Sequence, residues 1–151
     1  MSSKSRQLLP YRHSLAGVLL VAREAVMAPI RPMLREAGVT EQQWRVLRVL
    51  DGSGPIDPTT LAESALLYQP TVTRILKDLV ERGLIVRETD SQDGRRSILT
   101  LTPQGKALIR ETATHTLQQL NIYAEKFGEA RLHHLIDELK ALAEMVGSTR
   151  L

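Results

Sequence analysis

Apolar residues recur at helical spacing along most of the chain, and short breaks marked by Gly, Pro or polar clusters divide the pattern into successive elements. Over residues 14–27, Leu15, Val18, Leu19, Ala22 and Val26 keep that spacing, while Leu20, Val21, Ala25 and Met27 fill the remaining faces. A helix apolar nearly all round must be covered on several sides. A small chain achieves that most readily at a subunit interface. Pro29, Pro32 and Gly38 punctuate its end. Thr40 followed by Glu41-Gln42-Gln43 has the form of a capping box and opens a helix with Trp44, Leu47 and Leu50 on one stripe. Gly52-Ser53-Gly54-Pro55 stops it.

Asp57 or Thr59 then starts a short helix reaching Leu67, with Leu61, Ala62, Ala65 and Leu66 inward. Pro70 suits the first turn of the next helix, which runs to about Arg82 and ends with Gly83 at C′. Residues 84–89 and 97–101 read as strands, joined by a polar loop with an Asp93-Gly94 turn signal. Three helices followed by a β-ribbon is the order of a winged helix-turn-helix. Thr102 as N-cap and Pro103 at the first helical position open a long helix carrying Ala113, Leu117, Leu120, Ala124 and Phe127. Beyond Gly128, Leu132, Leu135, Leu139, Leu142 and Val146 repeat the pattern. Both seams suit packing between subunits, and both also fit an intramolecular helical hairpin. The expected fold class is mainly α with a small β-ribbon. A winged helix-turn-helix over about 40–102 lies between N- and C-terminal dimerisation helices at about 13–36 and 103–147, in one domain spanning 1–151.

A length of 151 residues suits one domain. With only one Trp, three Tyr and one Phe, the core must be aliphatic. The absence of cysteine excludes a disulfide scaffold, a thiolate metal site and a cysteine redox sensor. The net charge of +3 is a weak pointer to an anionic partner. Its distribution says more: residues 1–48 hold eight Lys/Arg against three Asp/Glu, whereas 69–96 hold six against five. Lys4, Arg6 and Arg12 ahead of an apolar stretch faintly resemble a signal peptide, but Arg23-Glu24 interrupts that stretch. It falls short of the roughly 20 apolar residues a membrane span needs, so a cytoplasmic protein is expected.

On the helix over 70–82, Val72, Ile75, Leu76, Leu79 and Val80 share one face. The other presents Pro70, Thr73, Arg74, Lys77 and Glu81, with Thr71 at its N-terminal margin. An apolar back with short polar and basic residues in front is what a DNA recognition helix requires. Arg74 can reach guanine bidentately, Thr73 can bond a base or touch a thymine methyl, and Lys77 suits a phosphate. A solvated face on an amphipathic helix explains the same pattern. The ribbon shifts the balance, because Arg95 and Arg96 beside Gly94 form a basic probe suited to a narrow, electronegative minor groove. Asp93 would repel phosphate if exposed, so it is expected to orient Arg95 or Arg96 through a salt bridge.

Several stretches then resemble, in order, the MarR family of bacterial transcription regulators. They are Gly38-Val39-Thr40-Glu41-Gln42-Gln43-Trp44-Arg45-Val46-Leu47, Leu61-Ala62-Glu63, and Thr71-Val72-Thr73-Arg74-Ile75-Leu76-Lys77-Asp78-Leu79. Arg82-Gly83-Leu84-Ile85, Asp93-Gly94-Arg95-Arg96-Ser97 and Leu101-Thr102-Pro103-Gln104-Gly105 complete the pattern. Within the family, Leu9-Pro10-Tyr11-Arg12-His13-Ser14-Leu15 and Arg23-Glu24-Ala25 resemble the repressors of homoprotocatechuate (4-hydroxyphenylacetate) degradation operons. The resemblance implies a homodimer whose first and last two helices intertwine, so that two winged helices straddle a pseudo-palindromic double-stranded DNA operator. It also implies release by a small aromatic acid effector, such as a hydroxyphenylacetate, bound between the dimerisation helices and the winged helix.

Arg23 shares its sector of the first helix with Ala16, Leu19, Leu20 and Met27, an apolar setting in which a guanidinium needs a partner. That partner is either an internal carboxylate, such as Asp57 or a C-terminal Glu, or the carboxylate of an effector. His13 and Ser14 could hydrogen-bond phenolic hydroxyls, with Gly17 leaving room nearby. Trp44 offers a stacking wall, although a core role is commoner for tryptophan. Arg12 and Arg48 are further candidate carboxylate partners. No nucleophile elbow or His-x-x-Glu-His pattern accompanies His13, His115, His133 and His134. An enzyme is not expected, and neither is a cofactor or a metal. The competing reading is a winged-helix module that binds DNA without sequence preference, or binds a protein partner, and has no effector.

Overall fold

The computed structural model describes residues 7–147. A single 3-10 turn (Tyr11–His13) leads into α1 (Leu15–Met27), α2 (Ile30–Glu36), α3 (Glu41–Ser53), α4 (Pro58–Ala65) and α5 (Gln69–Glu81). Strands β1 (Ile85–Thr89) and β2 (Ser97–Leu101) follow, then α6 (Pro103–Phe127) and α7 (Glu129–Met145). The two strands pair antiparallel, with Ile85 opposite Leu101 and Thr89 opposite Ser97. Ile56 adds a short bridge to Leu99, donating to and accepting from its backbone at 3.3 and 2.8 Å.

Local chemistry sets most boundaries. Ser14, Thr40, Asp57 and Thr102 each accept a backbone N–H of the first helical turn, and Thr40 with Gln43 closes the expected capping box. Gly83, at φ 72°, ends α5 while Leu84 N–H reaches back to Leu79 O at 3.0 Å. Residues 30–36, within the stretch expected to hold the N-terminal helices, form α2, and Pro32 is tolerated there because it sits in a first turn whose N–H groups have no intrahelical partner. One expectation is corrected. Leu66 faces out, not in: it takes the left-handed conformation (φ 57°) that ends α4 and is 63% exposed. The Arg45 guanidinium satisfies the carbonyls freed there, donating to Ala65 O at 3.0 Å and Leu66 O at 2.6 Å.

The core is aliphatic, as five aromatics require. Leu47, Leu61, Leu76, Leu79, Ile85 and Leu99 are buried in it, joined by Leu34 from α2 and Ile109 from α6. It knits α3, α4, α5 and the ribbon into one head. The flanking helices differ. Only Gly17 and Met27 of α1 are buried, and no residue of α7 is. Leu15, Val18, Leu20 and Val21 of α1, Leu117 and Leu120 of α6, and Leu135 and Leu139 of α7 stay exposed. The α6 and α7 seams therefore do not bury one another in a closed hairpin.

Candidate nucleic-acid interface and ligand cavity

Helix α5 docks its back on the head through Val72, Ile75, Leu76 and Leu79. Val80, expected on that face, lies exposed at its edge. Pro70, Thr73, Arg74, Lys77 and Glu81 are exposed and Thr71 is half-buried, as the amphipathic pattern demands. Neither Arg74 nor Lys77 has an ion-pair partner among the described residues. The Thr73 hydroxyl donates to Gln69 O at 3.1 Å, which leaves its oxygen lone pairs and methyl for a base. Arg87 of β1 lines a shallow groove with Pro70, Arg74 and Lys77. The sequence reading missed it, although strand alternation sets Arg87 on the same side of the ribbon as buried Ile85.

The ribbon tip is built differently from expectation. Asp93 forms no salt bridge with Arg95 or Arg96; its carboxylate accepts the Arg95 backbone N–H at 3.1 Å, and its carbonyl accepts that of Arg96 at 3.0 Å. Asp93 thus shapes the turn rather than aiming a guanidinium. The Arg95 side chain is exposed, with no ion pair among the described residues. Arg96 instead turns to Asp57, Nη2 to Oδ1 3.6 Å.

Arg23 resolves in favour of an internal carboxylate, though neither Asp57 nor a C-terminal Glu supplies it. Its guanidinium bonds Glu41 in the first turn of α3 and lies 3.6 Å from Glu24. Arg31 joins them, reaching Glu24 at 2.8 and 3.0 Å and Glu41 at 3.3 Å. The hydrogen bond from Arg31 holds the Glu24 carboxyl below its ordinary pKa, and the same bond raises that of Arg31. This network fastens α1 and α2 to the start of α3.

A cavity of about 550 Å³ opens where α1, α2, α3 and α6 meet. Val26, Met27, Ile30 and Ile109 give it apolar walls, and Trp44 and Arg48 of α3 close one side. The Arg48 guanidinium lies 5.0 Å from the Trp44 ring centre, a cation–π contact, and pairs with no carboxylate among the described residues. Of the candidate effector residues, Trp44 and Arg48 line this cavity; Arg12, His13, Ser14 and Arg23 do not. Arg12 and His13 lie exposed in the 3-10 turn. The Ser14 hydroxyl is spent on capping, accepting from Gly17 N–H at 3.1 Å and donating to Tyr11 O. Gly17 leaves no room: a Cβ there would lie 1.8 Å from the Tyr11 carbonyl oxygen, so the preceding turn already fills the space.

A three-helix head with a two-stranded wing, cations without ion-pair partners among the described residues on the exposed face of α5, and a cavity at the junction with the flanking helices together define a winged helix-turn-helix protein. The MarR family model matches residues 37–96. Over 127 residues the chain is 38% identical to the HTH-type transcriptional regulator FarR of Neisseria gonorrhoeae, covering 84% of this chain and 87% of that protein. It is 36% identical over 134 residues to the homoprotocatechuate degradative operon repressor of Escherichia coli, covering 85% and 89%. The crystal structure of NadR in complex with 4-hydroxyphenylacetate matches with a TM-score of 0.78 at 36% identity, covering 91% of this chain and 98% of that one. The chain belongs to the MarR family of transcriptional regulators.

Proposed function

We propose that this MarR-family regulator is a cytoplasmic, homodimeric repressor of an aromatic-acid catabolic operon, released from a pseudo-palindromic operator by a small phenolic or aromatic carboxylate. The observation that carries the reading is the cavity at the junction of flanking helices and reading head. Its apolar walls suit an aromatic ring, and Arg48, beside Trp44 and without an ion-pair partner among the described residues, suits a carboxylate. The 36% identical NadR, solved with 4-hydroxyphenylacetate, supports that choice of ligand class.

In this reading Thr71, Thr73 and Arg74 meet base edges, Pro70 fixes the helix start, Lys77 neutralises a phosphate and Arg95 enters the minor groove. Two-fold docking spaces half-sites by about 34–36 Å. Because the cavity walls come from both flanking helices and α3, a ligand there biases the distance between reading helices, a population shift that lowers DNA affinity. The test is reciprocal coupling with 4-hydroxyphenylacetate and hydroxybenzoates as probes. Calorimetry measures acid binding with and without operator, and anisotropy measures operator binding with and without acid. The two coupling factors should agree. An acid that binds tightly and leaves operator affinity untouched overturns the effector assignment. A steep salt dependence with no operator preference favours the non-specific module instead.

A further inference from the structure

We infer that Arg96 is a positioning residue that locks the wing to the head through Asp57, and that it makes no DNA contact of its own. The inference rests on the DNA-binding reading above for its functional consequence, but its geometry stands on the free protein. Both backbone bonding groups of Arg96 are engaged within the chain, and its side chain, 59% exposed, faces a carboxylate. Its N–H donates to Asp93 O at 3.0 Å and its carbonyl accepts from Asp90 N–H at 2.8 Å, which closes the wing loop. Its guanidinium then reaches Asp57.

Asp57 is a fixed anchor. It N-caps α4, accepts the Thr60 hydroxyl and backbone N–H, and has only 17% of its side chain exposed. Its neighbour Ile56 is bridged to Leu99, so the base of the wing is already held beside α4. One carboxylate therefore caps the first helix of the helix-turn-helix and faces the guanidinium at the root of the wing. Arg95, one residue earlier, has no ion pair among the described residues and projects from a loop whose attitude Arg96 sets. An exposed pair at 3.6 Å is a weak bond taken alone. Here it acts on a loop that the backbone has already closed, so a small energy selects one orientation.

The experiment compares Asp57→Asn, Arg96→Ala and Lys77→Ala with the wild type in the full chain. The DNA probe is a duplex pool that the wild type selects from random-sequence DNA. Asn caps helices about as well as Asp, so Asp57→Asn removes the charge and keeps the cap. Electrostatics alone predict that losing a negative charge tightens binding to a polyanion. The lock predicts the opposite sign: both Asp57→Asn and Arg96→Ala weaken binding about two- to fivefold. The double variant should be no weaker than either single one. Lys77→Ala should lower the salt slope by about one while Arg96→Ala leaves it unchanged.

Hydrogen exchange on the free protein should rise over residues 90–96 in both lock variants and stay at wild-type level in α7. Tighter binding by Asp57→Asn, a slope loss in Arg96→Ala equal to that of Lys77→Ala, or unchanged exchange in the wing overturns the lock. If the wild type retains no duplex, the DNA reading falls, and the exchange measurement still decides the lock.

Discussion

Arg74 and Lys77 stand three residues apart on the exposed face of α5, yet their chemistry separates their tasks. A guanidinium offers a fork that matches guanine, whereas an ammonium is a point charge on a flexible stem. Arg74→Ala should cost about 1–3 kcal/mol on the cognate operator and relax the base preference at one position. Arg95→Ala should weaken all duplexes more evenly, as read by anisotropy on cognate and base-substituted sites. Wild-type binding by both variants would remove α5 and the wing from the interface. Asp57 supplies a pH signature at the same scale. The Thr60 hydroxyl, ahead of backbone amides and the Arg96 charge, holds its carboxyl below the ordinary 3.8. A carboxyl depressed in the folded state contributes stability that is present above the unfolded value and is lost as pH falls through the folded one. The stability gap between wild type and Asp57→Asn in urea unfolding should therefore be constant near neutrality and narrow below pH 3.8.

At the scale of elements, the junction between wing and α6 depends on a glycine. A Cβ on Gly105 would lie 2.1 Å from the Leu84 carbonyl oxygen, where Thr102 also ties its N–H to Leu84 O at 3.1 Å and its hydroxyl to Gly83 O at 2.6 Å. Gly105→Ala gains up to about 1 kcal/mol of helix propensity. Forcing a methyl against fixed backbone costs about 1–3 kcal/mol, so the net effect should be a lower urea midpoint. A midpoint at or above wild type would show that the junction gives way freely.

The elements legible in the sequence are those set by neighbours within a few residues. The Thr40–Gln43 box, the Asp57 and Thr102 caps, Gly83 and the buried stripe of α5 all state their roles locally. Pairings across the chain left no local trace. Nothing near Arg23 names Glu41, eighteen residues on, and nothing near Arg96 names Asp57, which tertiary packing, the Ile56–Leu99 bridge included, brings beside it. Apolar periodicity likewise marked Trp44 as inward, but only the meeting of four helices turned it and Arg48 into a cavity wall. The same limit explains why Ser14 and Gly17 misled. Their use in holding the Tyr11–His13 turn is a close backbone approach, which residue type alone does not reveal.

The whole molecule divides its labour between a head that is finished alone and helices that are not. Apolar side chains of α1, α6 and α7 remain in solvent in the single chain, far more than a self-sufficient surface needs. In the proposed dimer these seams meet across the two-fold axis. Leu135→Glu on α7 lies outside both core and cavity, so the head should fold while the subunits separate. Placing an unpaired carboxylate in an apolar contact should raise the dissociation constant at least about tenfold in sedimentation equilibrium. An unaltered dimer would place the interface elsewhere. The separation of seam from reading face also has a genetic consequence. A gene copy altered only at Arg74 should still make subunits that pair normally, so each mixed pair carries one head with weakened operator affinity. Such an allele should interfere with the wild-type copy in the same cell, whereas an allele broken in the seam should be silent beside it.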